Sequence, residues 1–158
     1  MPAERRQAEA GAPVRVLVHH DDERANRFRQ QGAEVVVADL TNAVDVVEAM
    51  RDVTRMFFNP HISFDYLREA TIVCAAAREV GEMEVIVNMS QMTVSQMSIQ
   101  NTTPSPQQRQ HWLSEQALTW SGLPVVTIRP TVFLAGFFLP LLGPSVRDRC
   151  RIERPYGR

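Results

Sequence analysis

The chain contains no lysine: all 17 of its cationic residues are arginines, which excludes any mechanism that needs a lysine ammonium. Cysteine is nearly as scarce. Cys74 and Cys150 are too few and too far apart for a zinc cluster, so no metal site is expected. Cys74 lies in an apolar helical stretch, where a small buried hydrophobe is a plainer reading than a reactive thiol. There is no excess of basic charge either. A net charge of -1 provides no basic face for nucleic acid. No apolar run approaches the ~18 residues of a membrane span, and no signal peptide opens the chain. The expectation is a soluble, cytoplasmic protein with neither nucleic acid nor membrane as partner. What remains is ordinary for a globule: 158 residues, 44% apolar and 22% charged, enough for one domain that buries roughly 70% of its unfolded surface.

The organising stretch is Val14 to Asp39, VRVLVHHDDERANRFRQQGAEVVVAD. An apolar run, a polar corner, a charged helix, Gly32, a second apolar run and an acidic residue follow one another. Short unbroken apolar runs joined by a helix of this length are what a parallel β-α-β unit requires, because parallel strands carry helices on both faces. Such a unit normally follows a glycine-rich strand-to-helix turn that holds a dinucleotide's phosphates. No such turn stands ahead of Val14 in the sequence.

The alternation continues along the chain. Residues 2–10 have helix propensity, with Gly11 as the stop. Glu23 to Gln31 is a short helix with Ala25 and Phe28 on one face. Thr41 is the expected cap of a helix running to about Arg51, with Val44, Val47 and Met50 inward. Arg55 to Asn59 is the third strand. Ser63 is the candidate cap of the next helix, whose stripe is Leu67, Ala70, Cys74 and Ala77, and Glu84 to Ser90 is the fourth strand. A polar, Met-rich loop leads to Ser105-Pro106, a cap followed by proline at the first helical position. That helix is expected to turn Leu113, Ala117 and Trp120 inward. Val125 to Arg129 is the fifth strand. The pattern predicts an α/β fold, a doubly wound parallel sheet over residues 1–142, with an irregular Arg-rich tail at 143–158. Ligands in such sheets sit beyond the strands' carboxyl ends. Those ends hold His19, His20, Asp39, Asn59, His61, Asn88, Ser90, Pro130 and Thr131, a rim of small polar groups.

At this point the blocks VRVLVHHDDERA, GAEVVVADLTN, RMFFN, VIVNMSQM, HWLSEQAL and SGLPVVTIRPTVF resemble, in order and spacing, those of the NmrA-like branch of atypical short-chain dehydrogenases. The likeness runs over about residues 4–139. It implies a Rossmann-like NAD(P)-binding fold. Some members are NADPH-dependent quinone or isoflavone reductases, and others are redox-sensing regulators with little or no catalysis. By this resemblance His19, with His20 beside it, stands where many members carry an arginine for the NADP 2′-phosphate, and Asp39 matches the acidic residue near the adenine. Asn59 falls in the segment that wraps the cofactor. Asn88 and Ser90 match the strand end beside the nicotinamide, while Pro130 and Thr131 match the segment over its carboxamide. His111 and Glu115 match a His-x-x-x-Glu pattern near the place where other dehydrogenases carry Tyr-x-x-x-Lys.

The departures shape the expectation. The family's first strand, central in the 3-2-1-4-5-6 order, and its G-x-x-G-x-x-G turn are expected to lie before residue 1, which would leave two inner strand edges unpaired or pairing directly. A catalytic Tyr-x-x-x-Lys is excluded, since the only tyrosines are Tyr66 and Tyr156. The family usually continues for another substrate-shaping portion. Each site residue also has a plain reading: His111 and Glu115 as a solvated i,i+4 pair, Asp39 as an aid to a helix start, His19 and His20 as an exposed turn, Asn88 and Ser90 as backbone-capping groups. Three functions therefore stand open: a reductase passing hydride from NAD(P)H to a quinone-like small molecule, a non-catalytic redox-sensing or protein-interaction module, or a truncated fragment without a competent cofactor site. The dinucleotide is expected to bind these 158 residues alone weakly or not at all.

Overall fold

A computed structural model describes residues 11–131 and Arg147. The helix expected at residues 2–10, the apolar stretch after Thr131 and the tail expected at 143–158 lie outside the described residues, Arg147 excepted. Five strands alternate with four α-helices: β1 (Arg15–Val18), α1 (Glu23–Gln30), β2 (Glu34–Val37), α2 (Ala43–Met50), β3 (Arg55–Phe58), α3 (Tyr66–Val80), β4 (Val85–Met89), α4 (Pro106–Trp120) and β5 (Val125–Ile128), with a short 3-10 turn at Met92–Gln96 inside the Met-rich loop. All strand pairs are parallel, as helix crossovers demand. The expected doubly wound architecture holds, and so does the expected break. β1 and β2 form one sheet, β3, β4 and β5 another, and no hydrogen-bonded ladder joins the two among the described residues.

Helix starts follow side-chain capping. Asp22 accepts from the N–H groups of Arg24 (2.8 Å) and Ala25 (3.1 Å) and so opens α1. α2 is capped by Asn42, whose Oδ1 accepts from the Val44 N–H at 3.1 Å, and not by Thr41 as expected. Thr41 is instead held by Asp39, which accepts from both its N–H and its hydroxyl. The buried face of this helix also differs from the expected stripe: Val46, Ala49 and Met50 are buried while Val44 is 70% exposed. Ser63 likewise does not cap α3. It accepts from the Asp65 N–H at 3.1 Å in the turn before the helix. Ser105 does occupy the N-cap of α4 with Pro106 at the first helical position.

The four described glycines, Gly11, Gly32, Gly81 and Gly122, all have φ between +73° and +85°, a conformation L-residues rarely adopt. Each lies a few residues before a strand, at the amino edge of the sheets. A Cβ at any of them would meet nothing within 4 Å. They are therefore chain-reversing residues, and none is a close-approach position.

The core lies between β3-β4-β5 and the layer of α2, α3 and α4, with Phe58, Tyr66, Val73, Ile86 and Leu118 at its centre. Cys74 is buried there as a free thiol, and burial pushes its pKa up, in keeping with a small hydrophobe. α4 differs most from expectation. Leu113 is partly exposed and Trp120 is 78% exposed, while Ser114, Glu115 and Leu118 are buried. The inward face of α4 is therefore about a third of a turn away from the apolar stripe.

Candidate functional site at the strand carboxyl ends

Along β4 the buried side chains are Ile86 and Asn88, followed just beyond the strand by Ser90. Alternation places all three on one face of the sheet. Ile86 belongs to the apolar core, so this face turns from apolar to polar towards the carboxyl end. The helices above it supply Tyr66 and Glu69 from α3 and Gln110, His111, Ser114 and Glu115 from α4. Tyr66 and His111 stack edge to face, with ring centroids 5.2 Å apart.

Glu115 is 4% exposed and is held by a two-pronged bond from Arg129, whose Nη2 donates at 2.6 Å and Nε at 3.1 Å. The solvated His111–Glu115 pair anticipated from the i,i+4 spacing is thus corrected. Glu115 is buried because a cation at the end of β5 compensates it, and His111 is half-buried against Tyr66. Arg129 lies one residue past β5, where the sequence reading placed it only as a strand end.

Several buried polar atoms in this region have no partner among the described residues: Asn88 Oδ1, Ser90 Oγ, Ser114 Oγ and His111 Nδ1, with Glu69 Oε2 and Gln110 Oε1 on the same helices. Buried polar groups are normally satisfied, and a cluster of orphans at the ligand-binding end of an α/β sheet is an arrangement prepared for a polar guest. The two hydroxyls can donate, and Asn88 Oδ1 and His111 Nδ1 can accept.

Electrostatics sort the acids and bases. Burial, with Glu69 and Glu115 nearby, pushes the Tyr66 phenol up to about 12, so it remains neutral at physiological pH. Burial also raises the Glu69 carboxyl, reinforced by Asp65 and Asp39 and opposed by His19 and His61. Burial lowers His111 from its ordinary 6.5, with Glu115 opposing, and so favours a neutral imidazole at pH 7. A histidine with a depressed folded pKa binds fewer protons than the unfolded chain just below pH 6.5, so its contribution is full above that pH and falls as the solution is acidified. Urea titrations from pH 5 to 8 should therefore show stability rising with pH towards 6.5. His111→Phe should flatten that slope, and an unchanged slope would place the titration elsewhere.

The rim continues over the first sheet. His19 and His20 are exposed at the end of β1, their rings 4.3 Å apart. Asp39 follows β2, and its carboxyl lies below the usual range because the Thr41 N–H and hydroxyl donate to it. Asn59 is exposed after β3, and Pro130 and Thr131 follow β5. Asn88 and Ser90 are buried at the end of β4, and His111 and Glu115 lie on α4 against Tyr66 and Arg129, while His19, His20 and Asp39 belong to the other sheet. Tyr66, Ser114 and Arg129 are site residues that the sequence reading did not single out. A usable signal existed for Ser114, which shares an i,i+3,i+4,i+7 row with His111, Glu115 and Leu118. An open groove of about 710 Å³ between α3 and α4, lined by residues such as Ala75, Ala117 and Trp120, lies towards the helices' carboxyl ends, away from this cluster.

An NAD(P)H-binding family model matches residues 3–136. The chain belongs to this family. The NAD(P)H-binding domain agrees with the resemblance carried by the sequence blocks. No curated protein sequence matches it. Among solved structures it is similar to the NADPH-dependent quinone oxidoreductase of Escherichia coli in complex with NADPH, at 17% identity and a TM-score of 0.72 over 90% of this chain and 50% of that one. It is also similar to the triphenylmethane reductase of Citrobacter sp. in complex with NADP(H), at 19% identity and 0.71 over 92% and 50%. A third neighbour is an anaerobillin reductase of Escherichia coli O157:H7, at 20% identity and 0.67 over 81% and 66%. These likenesses establish the Rossmann-type fold of the NAD(P)H-binding domain, which spans about half the length of the first two proteins.

The described residues fit only part of such a cofactor. The amide oxygen of Asn88 and the hydroxyl of Ser90 at the end of β4 could pair with a carboxamide or a substrate oxygen. A pyrophosphate needs clustered backbone N–H groups at a glycine corner and a helix N-terminus, and no described glycine stands at the carboxyl edge. Among the described residues, no group of three or more His, Cys, Asp or Glu is placed to hold a metal ion, and no helix is long and apolar enough to cross a membrane.

Proposed function

We propose that this domain forms the nicotinamide-facing side of an NAD(P)H-dependent reductase that acts on a small quinone-like acceptor. The observation that carries this reading is the set of buried polar atoms without partners among the described residues, on Asn88 and Ser90 at the end of β4 and on His111 and Ser114 of α4, in a chain of an NAD(P)H-binding family. The dihydronicotinamide supplies hydride when bound. Asn88 and Ser90 would hold its carboxamide, and His111 would act on the acceptor. A neutral imidazole whose Nδ1 is buried keeps its proton on Nε2, where it can donate a hydrogen bond to an acceptor carbonyl as charge develops on the oxygen. Tyr66 sets the plane of that ring, and Glu115, held by Arg129, fixes the helix that carries it. No lysine-assisted tyrosine is needed. His19 and Asp39 are assigned to the adenosine end, and a histidine in place of an arginine predicts weak discrimination between NADPH and NADH.

The test is calorimetric titration of the 158-residue chain with NADPH and NADH, together with NADPH oxidation against a panel of quinones. Weak binding is expected, with dissociation constants above ~100 μM, because the described residues offer no phosphate cradle. Micromolar binding would place such a cradle within this chain. Where quinone-dependent oxidation is measurable, His111→Ala should lower it by about 100-fold, in the range typical of proton-handling groups. Saturable NADPH binding without oxidation of any quinone would overturn the reductase reading in favour of a nucleotide-sensing module.

A further inference from the structure

We propose that Arg68 is a positioning residue of the cofactor rim: by gripping the Thr41 carbonyl from α3 it sets the Asp39 carboxylate for the amine-bearing base of the dinucleotide, a role that rests on the assignment of Asp39 to the adenosine end. Asp39 follows β2 of the first sheet, whereas α3 packs over β3 and β4 of the second. The Arg68 guanidinium spans the two, and its Nη2 donates to the Thr41 carbonyl at 3.1 Å. The N–H and hydroxyl of Thr41 each donate to Asp39 Oδ1 at 2.8 Å. Thr41 is thus held through its carbonyl by a helix of the second sheet and holds, through its donors, a carboxylate of the first. Both donors take Oδ1, so Oδ2, which has no hydrogen bond among the described residues, stays an acceptor for a ligand N–H.

The other contacts of this turn locate it without orienting it. Leu40 packs against the core, and apolar packing is non-directional. The Asp39 N–H donates to Asp45 Oδ2 at 3.2 Å and the Asn42 amide donates to Asp45 Oδ1 at 2.9 Å, but these bonds are internal to residues 39–45 and move with them. Arg68 is itself aimed, since its Nη1 lies 3.8 Å from Asp65 Oδ1 at the start of α3. A planar guanidinium steadied on one side presents its remaining N–H groups in fixed directions. The charges agree with this placement. The two Thr41 bonds, and beyond them His19 and Arg68, hold the Asp39 carboxyl below its usual range, and Asp39 adds to the burial that raises Glu69, the next residue of α3. The Arg68 side chain is 61% exposed, so its bond does little for global stability.

The test is NMR titration of the ¹⁵N,¹³C-labelled 158-residue chain, unaltered and as Arg68→Met and Arg68→Lys, with adenosine, adenosine 5′-monophosphate and nicotinamide mononucleotide. Both adenosine probes should shift the Asp39 and Thr41 amides. Arg68→Met should weaken both by about three- to tenfold and leave nicotinamide mononucleotide binding and the urea midpoint unchanged. Arg68→Lys keeps a cationic donor and should recover part of the loss. With no ligand present, Arg68→Met should raise the pH at which the Asp39 carboxyl carbon titrates, because one cation is removed while its other charged neighbours, His19, Asp45 and Glu69, remain. An Asp39 titration unmoved by Arg68→Met, or an unchanged adenosine affinity, would overturn the positioning role and leave Asp39 at the adenosine end. A loss confined to the monophosphate would overturn it too, by making Arg68 a phosphate contact. Adenosine that leaves residues 39–41 undisturbed in the unaltered chain would instead overturn the adenosine assignment, and this role with it.

Discussion

Truncation of Phe58 to alanine is expected to cost about 3–5 kcal/mol, the range for a large aromatic lost from a packed core. The ring is 1% exposed and sits against Tyr66, with centroids 6.0 Å apart. It closes the last position of β3, a four-residue strand whose one strand neighbour among the described residues is β4. Domains are stable by only about 5–15 kcal/mol, and one whose sheet is interrupted should lie low in that range. Urea unfolding followed by circular dichroism should show Phe58→Ala mostly unfolded before denaturant is added. The neighbouring Phe57 is the control. It is on the opposite face and partly exposed, so Phe57→Ala should cost less than about 1 kcal/mol. Equal losses at both positions would mean that the burial of β3 has been assigned to the wrong face.

The second large effect belongs to Arg129. Removing its side chain strands the Glu115 carboxylate, whose side chain is 5% exposed while that of Arg129 is 44% exposed. A fully buried pair broken on one side typically loses 3–5 kcal/mol; with the cation half in solvent, about 2–3 kcal/mol is expected. The double replacement Arg129→Met with Glu115→Gln should recover most of that loss, because the uncompensated charge disappears with its partner. A double variant no more stable than Arg129→Ala would show that packing of the arginine stem, and not charge compensation, carries the effect.

The architecture was legible because its signals are local. Unbroken apolar runs such as EVVV and VIVNM, separated by helices that stop at glycine, specify parallel strands whatever lies around them. Ser105 was placed as the cap of α4 correctly, while the caps of α2 and α3 fell one and two residues later than expected, at Asn42 and Asp65, and the inward face of α2 carries Val46 where Val44 was expected. The candidate site was half legible. Asn88 and Ser90 were identifiable as strand-end polar groups, but nothing adjacent in sequence shows that their atoms are left without partners. In α4 two rows compete at the same spacing, Leu113-Ala117-Trp120 and His111-Ser114-Glu115-Leu118. Apolar periodicity favours the first, and the second is the one buried.

Residue order by itself settled that this is a parallel α/β chain whose blocks resemble an NAD(P)H-binding family, and that none of its 158 residues is a lysine. Those conclusions follow from residue types and short spacings, which need no partner. Only the tertiary structure decided that Glu115 is buried, that His111 is shielded against Tyr66, and that β1 and β3 do not pair with each other among the described residues. A polar helix face can turn inward only when something distant compensates it, here Arg129, fourteen residues away, and a strand edge is open or closed according to what the rest of the chain brings beside it.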